Sequence, residues 1–346
     1  MNLQQRFKAS AGEALFLDGH DTAPLIDYLK KRSWLAPDEA VLVVEKPGEG
    51  NMNFVQRVKT QKQSLIVKQA RPWVEKFPQL DAPLERIQVE SEFYGLVQRD
   101  VFLASFTPRL LDWDAVNYIM IIEDLGIGAD FSRIYKKGNS IAAEELEALT
   151  SFVSHLHNQQ FTPDQTAAFP TNQALKQLNH EHIFYFPYLE ENGFDLNSIQ
   201  PGLQDLAMTY KRDATLKSSI REIGNLYLGA GPILIHGDYY PGSWLKVESG
   251  VRIIDPEFGF FGLPEFDLGV MVAHLKMAQT PAEQIEQVLS AYQPPTVFNP
   301  KLRQAFTGVE ILRRIIGLAQ LPLDLSLEEK RSLLEEAKEL VNAYQL

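Results

Sequence analysis

Two short apolar runs that each break off into an acidic turn, joined by a hairpin, constrain this chain more than any other feature. Ile233 to Ile235 leads into His236-Gly237-Asp238-Tyr239-Tyr240-Pro241-Gly242-Ser243, and Trp244 to Val247 and Val251 to Ile254 follow, the last leading into Asp255-Pro256-Glu257. Short runs rich in β-branched residues read as strands, and Glu248-Ser249-Gly250 suits a three-residue hairpin turn. The hairpin is expected to bring the two acidic loops together, so that Asp238, Asp255 and Glu257 converge at one sheet edge. Crowded carboxylates repel unless something positive joins them, and a hard cation with oxygen ligands is the natural partner. Magnesium takes one or two carboxylates and completes its shell with substrate phosphates. Either tripeptide alone is explained as a turn, since Asp, Gly and Pro dominate turns. The pair across a hairpin points to a site.

Upstream the chain has a different texture. A helix is expected from Thr22 to Trp34, then short strands at Val41 to Glu45, Met52 to Val58 and Ser64 to Ala70. Leu84 to Gln98 returns to helical spacing, and two further strands fit Arg109 to Trp113 and Asn117 to Ile122. After Asp124 the pattern is mostly helical, at Ala142 to Gln159, Leu203 to Leu228, Glu265 to Met277, Ala282 to Tyr292, Pro300 to Leu321 and Leu327 to Tyr344. The fold class is therefore α+β. Residues 1–124 form a small lobe of antiparallel sheet with a helix, and residues 125–346 a larger, mostly helical lobe carrying the acidic loops.

The small lobe contributes three signals. Gly48, Gly50, Asn51 and Asn53 lie in a glycine-rich loop between strands, where backbone N–H groups can approach phosphates. Lys68 ends the next strand and Glu90 lies on the following helix. A strand lysine paired with a helix glutamate orients ATP phosphates in protein kinases. Singly, each reads as a solvated charge; their order ahead of an HxD loop and an Asp loop is the informative part.

Composition narrows the partners. The 346 residues carry a formal net charge of −12 and no cysteine. Disulfides, thiolate metal sites and cysteine nucleophiles are excluded. So acidic a surface repels phosphate backbones, which argues against nucleic acid. No run approaches the ~18 apolar residues of a membrane span, and a cytoplasmic protein is expected. A homodimer stays open.

In order, GEGNMNFVQRV, IVKQA, MIIEDL, LIHGDYYPGS, IDPEFGFFGLPEFDLG and EILRRIIGLA resemble the aminoglycoside phosphotransferase and choline kinase superfamily, which has a two-lobed, protein-kinase-like fold. Within it the chain is similar to the methylthioribose kinase branch. The resemblance implies an ATP- and magnesium-dependent small-molecule kinase that transfers the γ-phosphoryl group to an alcohol, a sugar such as 5-methylthioribose before an aminoglycoside or choline. It implies that Asp238 is the catalytic aspartate and that Asp255 and Glu257 bind magnesium, with Ser243 where most of the superfamily has asparagine. Lys68 and Glu90 match the phosphate-orienting pair, Gly48 to Asn53 the phosphate loop, and Ile121 to Leu125, including Glu123, the linker that holds adenine. Arg313 and Arg314 match an arginine pair near the sugar, against the alternative of a helix surface. Tyr240 stands near the acceptor, where the branch has histidine. The branch's tryptophan-containing ESWP segment is replaced by PWVEKFPQLDAP. Asp267 braces the catalytic loop or caps the following helix.

Two other classes fit part of the pattern. A nucleotide-binding pseudokinase would explain the altered acceptor loop, but Lys68, Asp238 and Asp255 are all in place. A histidine–carboxylate metal hydrolase would use His236 with the three carboxylates. The His155/His157 and His180/His182 spacings of two do not put a zinc pair on one helical face, and His20 and His274 lack evident partners. His236 is expected to hydrogen-bond its own loop.

Overall fold

The computed structural model describes residues 2–48, 50 and 52–344. The chain divides into two units, Met1–Gly126 and Ile127–Leu346.

The first unit opens on α1 (Leu3–Ala11), which starts at a capping box: Asn2 Oδ1 accepts from the Gln5 N–H at 2.8 Å and Gln5 Oε1 from the Asn2 N–H. Apolar spacing does not announce this helix, because only Phe7 is buried. Next come α2 (Ala23–Lys31), β1 (Val41–Glu45), β2 (Phe54–Thr60), β3 (Ser64–Gln69), α3 (Arg86–Val97), the short α4 (Val101–Ala104), β4 (Leu110–Asp114) and β5 (Ile119–Glu123). The strands form one antiparallel sheet in the order β1-β2-β3-β5-β4. Leu65 and Val67 of β3 pack into a core with Phe54, Val58, Ile119, Ile121 and the α2 residues Leu25 and Leu29. Side chains alternate along a strand, so Lys68 leaves the opposite face of the sheet from Val67.

The second unit contains β6 (Gly128–Asp130), α5 (Ala143–His157), α6 (Pro163–Ala168), α7 (Gln173–His180), α8 (Leu203–Lys211), α9 (Ala214–Leu228), β7 (Ile233–Ile235), β8 (Trp244–Val247), β9 (Gly250–Ile253), β10 (Phe260–Gly262), α10 (Pro264–Met277), α11 (Ala282–Ala291), α12 (Pro300–Ile316) and α13 (Leu327–Asn342). One long expected helix is in fact two: the Asp213 side chain accepts from the Leu216 N–H at 3.0 Å and starts α9 afresh. Helix α12 stops at Ile316, short of the expected Leu321, where the Gly317 N–H closes on the Arg313 carbonyl. It runs through the core between α10 and α13, and 14 of its 17 residues are buried, including Glu310, Arg313 and Arg314. Gly308 makes this packing close, since a Cβ there would meet the Ala337 carbonyl oxygen at 2.4 Å.

Two details of the acidic island differ from expectation. Val247 pairs with Gly250, so the β8–β9 turn has two residues, Glu248 and Ser249, and Gly250 (φ +112°) begins β9. Strand β7 pairs with β10, whereas β9 belongs to a sheet ordered β6-β8-β9. The two acidic loops therefore leave different sheets. Among the described residues, no helix is long and apolar enough to cross a membrane.

Candidate active site

The His236-Gly237-Asp238 loop is held from below by one carboxylate. Asp267, fully buried in the first turn of α10, accepts the His236 N–H at 2.6 Å on Oδ2 and the Gly237 N–H at 2.9 Å on Oδ1. His157 Nε2 approaches Oδ2 at 3.3 Å, and its Nδ1 pairs with the Tyr292 hydroxyl at 2.8 Å. Asp267 thus braces the loop, and Leu263 occupies the helix cap. His236 turns its ring back on the same region: Nε2 donates to the Ile254 carbonyl at 3.0 Å and Nδ1 accepts from the Asp238 N–H at 3.3 Å. Both ring nitrogens are thereby used, and burial lowers the ring's pKa. His236 is a structural histidine, which removes the metal-hydrolase reading's central ligand.

The two acidic loops meet although they leave different sheets. Gly237 has φ +80°, and a Cβ there would lie 2.1 Å from the Phe258 carbonyl oxygen of the Asp-Pro-Glu-Phe turn. Only glycine allows this approach. The His236–Ile254 bond and the Ile254 N–H to Ser243 carbonyl bond (3.0 Å) complete the junction. Asp255 itself is left-handed (φ 60°, ψ 49°), a strained state that aspartate tolerates better than most residues and that clusters at functional sites. Glu257 follows in a 3₁₀ turn and is buried, as is Ser243. Asn172, also left-handed, donates from Nδ2 to the carbonyls of Glu257 (2.9 Å) and Gly259 (3.1 Å). Among the described residues, no group of three or more His, Asp or Glu is arranged to hold a metal ion by itself.

Asp238 meets a buried ionic cluster on its other side. Glu310 accepts from Arg313 Nε at 2.5 Å, Arg314 Nε at 2.8 Å and His274 Nε2 at 2.9 Å. Arg314 Nη2 lies 3.7 Å from Asp238 Oδ1, and its guanidinium sits 5.0 Å from the Tyr240 ring centroid. Tyr240 also packs against His274, with ring centroids 5.2 Å apart. The helix-surface alternative for the arginines fails: both are at most 8% exposed. Residues three and four positions after Glu310 return to its side of the helix, so one carboxylate can engage both. Burial raises the Asp238 pKa to about 6, with Arg314 and then Arg313 opposing the rise. Burial alone would also raise Glu310, but Arg313, Arg314 and His274 hold it well below the usual carboxylate range. Burial lowers His274 to about 4, so it is neutral at pH 7.

In the first unit, Lys68 Nζ lies 2.6 Å from Glu90 Oε1, with both side chains buried. Arg86, on the same helix as Glu90, donates to the carbonyls of Arg71, Pro83, Met52 and Trp73, tying α3 to the end of the glycine-rich loop. A Cβ at Gly48 would meet nothing within 4 Å, and at Gly50 only Val55 Cγ2 at 3.8 Å. Asn53 is buried; Asn51 lies outside the described residues. Glu123 gives its N–H to the Arg109 carbonyl at 2.9 Å, and Leu125 is half-buried. Asp124 between them is gripped by Arg57 through Nε (2.8 Å) and Nη2 (3.0 Å).

The structure thus pairs Lys68 with Glu90 and gathers Asp238, Arg314 and Tyr240, with the Asp255–Glu257 turn packed on the Asp238 loop. Sequence reasoning did not find Glu310, His274, Asn172 or Arg86. The i, i+3, i+4 spacing of Glu310 with the arginines was the available signal.

The sequence pattern of the phosphotransferase enzyme family matches residues 44–305. Methylthioribose kinase of Pectobacterium atrosepticum is 28% identical over 268 residues, covering 72% of this chain and 64% of that protein. Its Yersinia pestis counterpart is 29% identical over 265 residues, covering 73% and 63%. Each match spans less than two thirds of the relative's own length. Among solved structures, an ethanolamine kinase of Plasmodium vivax superposes with a TM-score of 0.54 at 13% identity, over 97% of this chain and 92% of that one. A spectinomycin phosphotransferase solved with ADP and spectinomycin gives 0.50 at 13%, over 92% and 96%. At such identities the likeness is one of fold, the two-lobed protein-kinase-like α+β class. The chain belongs to the phosphotransferase enzyme family.

Proposed function

We propose that the protein is an ATP- and magnesium-dependent kinase that phosphorylates an alcohol of a small neutral sugar such as 5-methylthioribose. The observation that carries this reading is Asp238, in a loop after β7 that Asp267 braces at His236 and Gly237 and whose Asp238 N–H donates to His236 Nδ1, with Arg314 Nη2 3.7 Å from its carboxylate.

In this reading Asp238 orients the acceptor hydroxyl and takes its proton, while Lys68, fixed by Glu90, orients the ATP phosphates. Gly48, Gly50, Asn51 and Asn53 belong to the phosphate loop, and Glu123 and Leu125 to the adenine linker. Since the Glu123 N–H is already engaged, that residue offers adenine its other atoms. Asp255, Glu257 and Ser243 are the residues that would hold magnesium. Oxygen donors suit it, and two carboxylates with a hydroxyl fit an ion that completes its shell with phosphate oxygens. Bound magnesium would neutralise charge on the phosphoryl group in flight. Transfer through a loose transition state asks the protein mainly to position groups. A cytoplasmic location, where ATP is supplied, accompanies this reading.

The methylthioribose kinase relatives support the sugar acceptor. The arginines argue against choline and aminoglycosides, because a cation beside Asp238 would face the buried Arg314 guanidinium at close range. A coupled ADP-release screen over methylthioribose, other sugars, choline, ethanolamine and aminoglycosides tests the reading. Turnover is expected with methylthioribose or a related sugar. Turnover only with cationic acceptors removes the sugar assignment, and no turnover with any acceptor removes the kinase assignment.

A further inference from the structure

We propose that Glu310 is a positioning residue of the acceptor side, whose carboxylate holds Arg313 and Arg314 in place and keeps Arg314 from closing on Asp238. The inference rests on the reading of Asp238 given above.

The arrangement is economical in atoms. Arg313 gives Nε to Oε2 and Arg314 gives Nε to Oε1, so the Nη2 end of Arg314 extends toward Asp238. It stops at 3.7 Å, beyond the 2.7–2.9 Å of a charge-assisted hydrogen bond. Neutral His274 adds a third donor to Glu310 through Nε2, and its Nδ1 is engaged by the Tyr135 hydroxyl at 2.6 Å. This fixes the tautomer and the ring plane, with His274 on the same carboxylate oxygen as Arg314. Tyr240 then packs against both Arg314 and His274. Tyr135, His274, Glu310 and Arg314 form one buried chain of contacts ending at Asp238, and Glu310 is its only carboxylate.

Take Glu310 away and the nearest carboxylate for Arg314 is Asp238. A guanidinium paired directly with Asp238 would occupy the oxygens needed for the acceptor hydroxyl. Glu310 therefore acts through Arg314, touching neither acceptor nor nucleotide.

The test uses Glu310→Gln, Glu310→Asp, Arg314→Gln and the double variant Glu310→Gln/Arg314→Gln, with two readouts. In the crystal structure of Glu310→Gln, the amide nitrogen is expected to face Arg313, whose oxygen had the single donor, and with the charge gone Arg314 Nη2 should close from 3.7 Å to hydrogen-bonding distance of Asp238. In steady-state kinetics, kcat should fall at least tenfold with the KM for ATP unchanged, and Glu310→Asp should recover part of the loss. The double variant should be no slower than Arg314→Gln alone, because a residue acting through another is non-additive with it. Arginines that keep their places in Glu310→Gln, or losses that multiply in the double variant, overturn the proposal. Should Glu310→Gln not fold, Glu310→Asp replaces it in the crystal: its shortened carboxylate should release one arginine toward Asp238, and two unmoved arginines overturn the proposal. If the wild type phosphorylates no acceptor, the kinase reading falls by itself and the crystal structures still decide the role of Glu310.

Discussion

Replacing Asp267 by asparagine keeps the shape of the side chain and removes its charge beneath the His236-Gly237-Asp238 loop. The carboxylate faces donors on both oxygens: Oδ2 receives the His236 N–H at 2.6 Å with His157 Nε2 at 3.3 Å, and Oδ1 receives the Gly237 N–H at 2.9 Å. Asparagine has one oxygen to offer, and its amide nitrogen must oppose a donor on the other side. The less costly placement turns the nitrogen toward Gly237, where one hydrogen bond is lost instead of two. Hydrogen bonds to charged groups contribute ~1.5–3 kcal/mol, and a buried donor left unpaired costs ~1–3 kcal/mol. We expect a local loss of about 3 kcal/mol, which at ~1.4 kcal/mol per decade is roughly 100-fold in an opening equilibrium. Amide hydrogen exchange reads this directly. The His236 and Gly237 amides should exchange about 100-fold faster in Asp267→Asn, the Gly237 amide more affected, with the amides of β2 and β3 unchanged. Wild-type exchange at both loop amides, with an unchanged urea midpoint, would refute this account of how the loop is held.

The pH dependence follows from Asp238, whose folded pKa is raised by burial from 3.8 to about 6. The folded state binds the proton more tightly, so this group's contribution to stability declines as pH rises from 3.8 to about 6. In the proposed mechanism the carboxylate is the active form, so kcat/KM for the acceptor should rise through about pH 6, and Arg314→Gln should move that limb to higher pH because Arg314 opposes the rise. Glu90→Ala removes the carboxylate 2.6 Å from the buried Lys68 ammonium and should destabilise the first unit by ~3–5 kcal/mol in urea unfolding; a change below ~1 kcal/mol would place that pair among weak, solvated ones. Gly237→Ala adds ~1–2 kcal/mol of left-handed strain to a backbone clash at Phe258. It should lose more stability than a central-helix alanine exchange and most of its kcat, as the two acidic loops part.

The sequence revealed some parts of this structure for physical reasons and hid others for reasons equally physical. Strands β1, β7 and β8 were legible to the residue because β-branched runs end at Pro47, at the His-Gly-Asp turn and at Glu248-Ser249. Lys68 and Glu90 were legible as a pair because their order along the chain carries the information, and the 2.6 Å contact follows from a strand and a helix on one side of a sheet. The union of the acidic loops was legible in part: the β8–β9 hairpin sets Ser243 beside Ile254, as expected, but the packing of Gly237 against Phe258 and the His236–Ile254 bond, which tie the start of the first loop to the second, show only in the fold. Glu310 and His274 escaped notice because a carboxylate and an imidazole on apolar helices show their function only when α10 and α12 are packed together. The helix break before α9 was missed because apolar spacing continues across it, and only the Asp213 cap betrays the restart.

The account stands most directly on one measurement: phosphorus NMR of ATP, magnesium and 5-methylthioribose incubated with wild-type protein or with Asp238→Asn. The prediction is a new sugar phosphomonoester resonance growing in step with ADP for the wild type, and a rate lower by orders of magnitude for the variant at unchanged ATP affinity. A variant that transfers phosphate at near the wild-type rate would remove Asp238 from the chemistry.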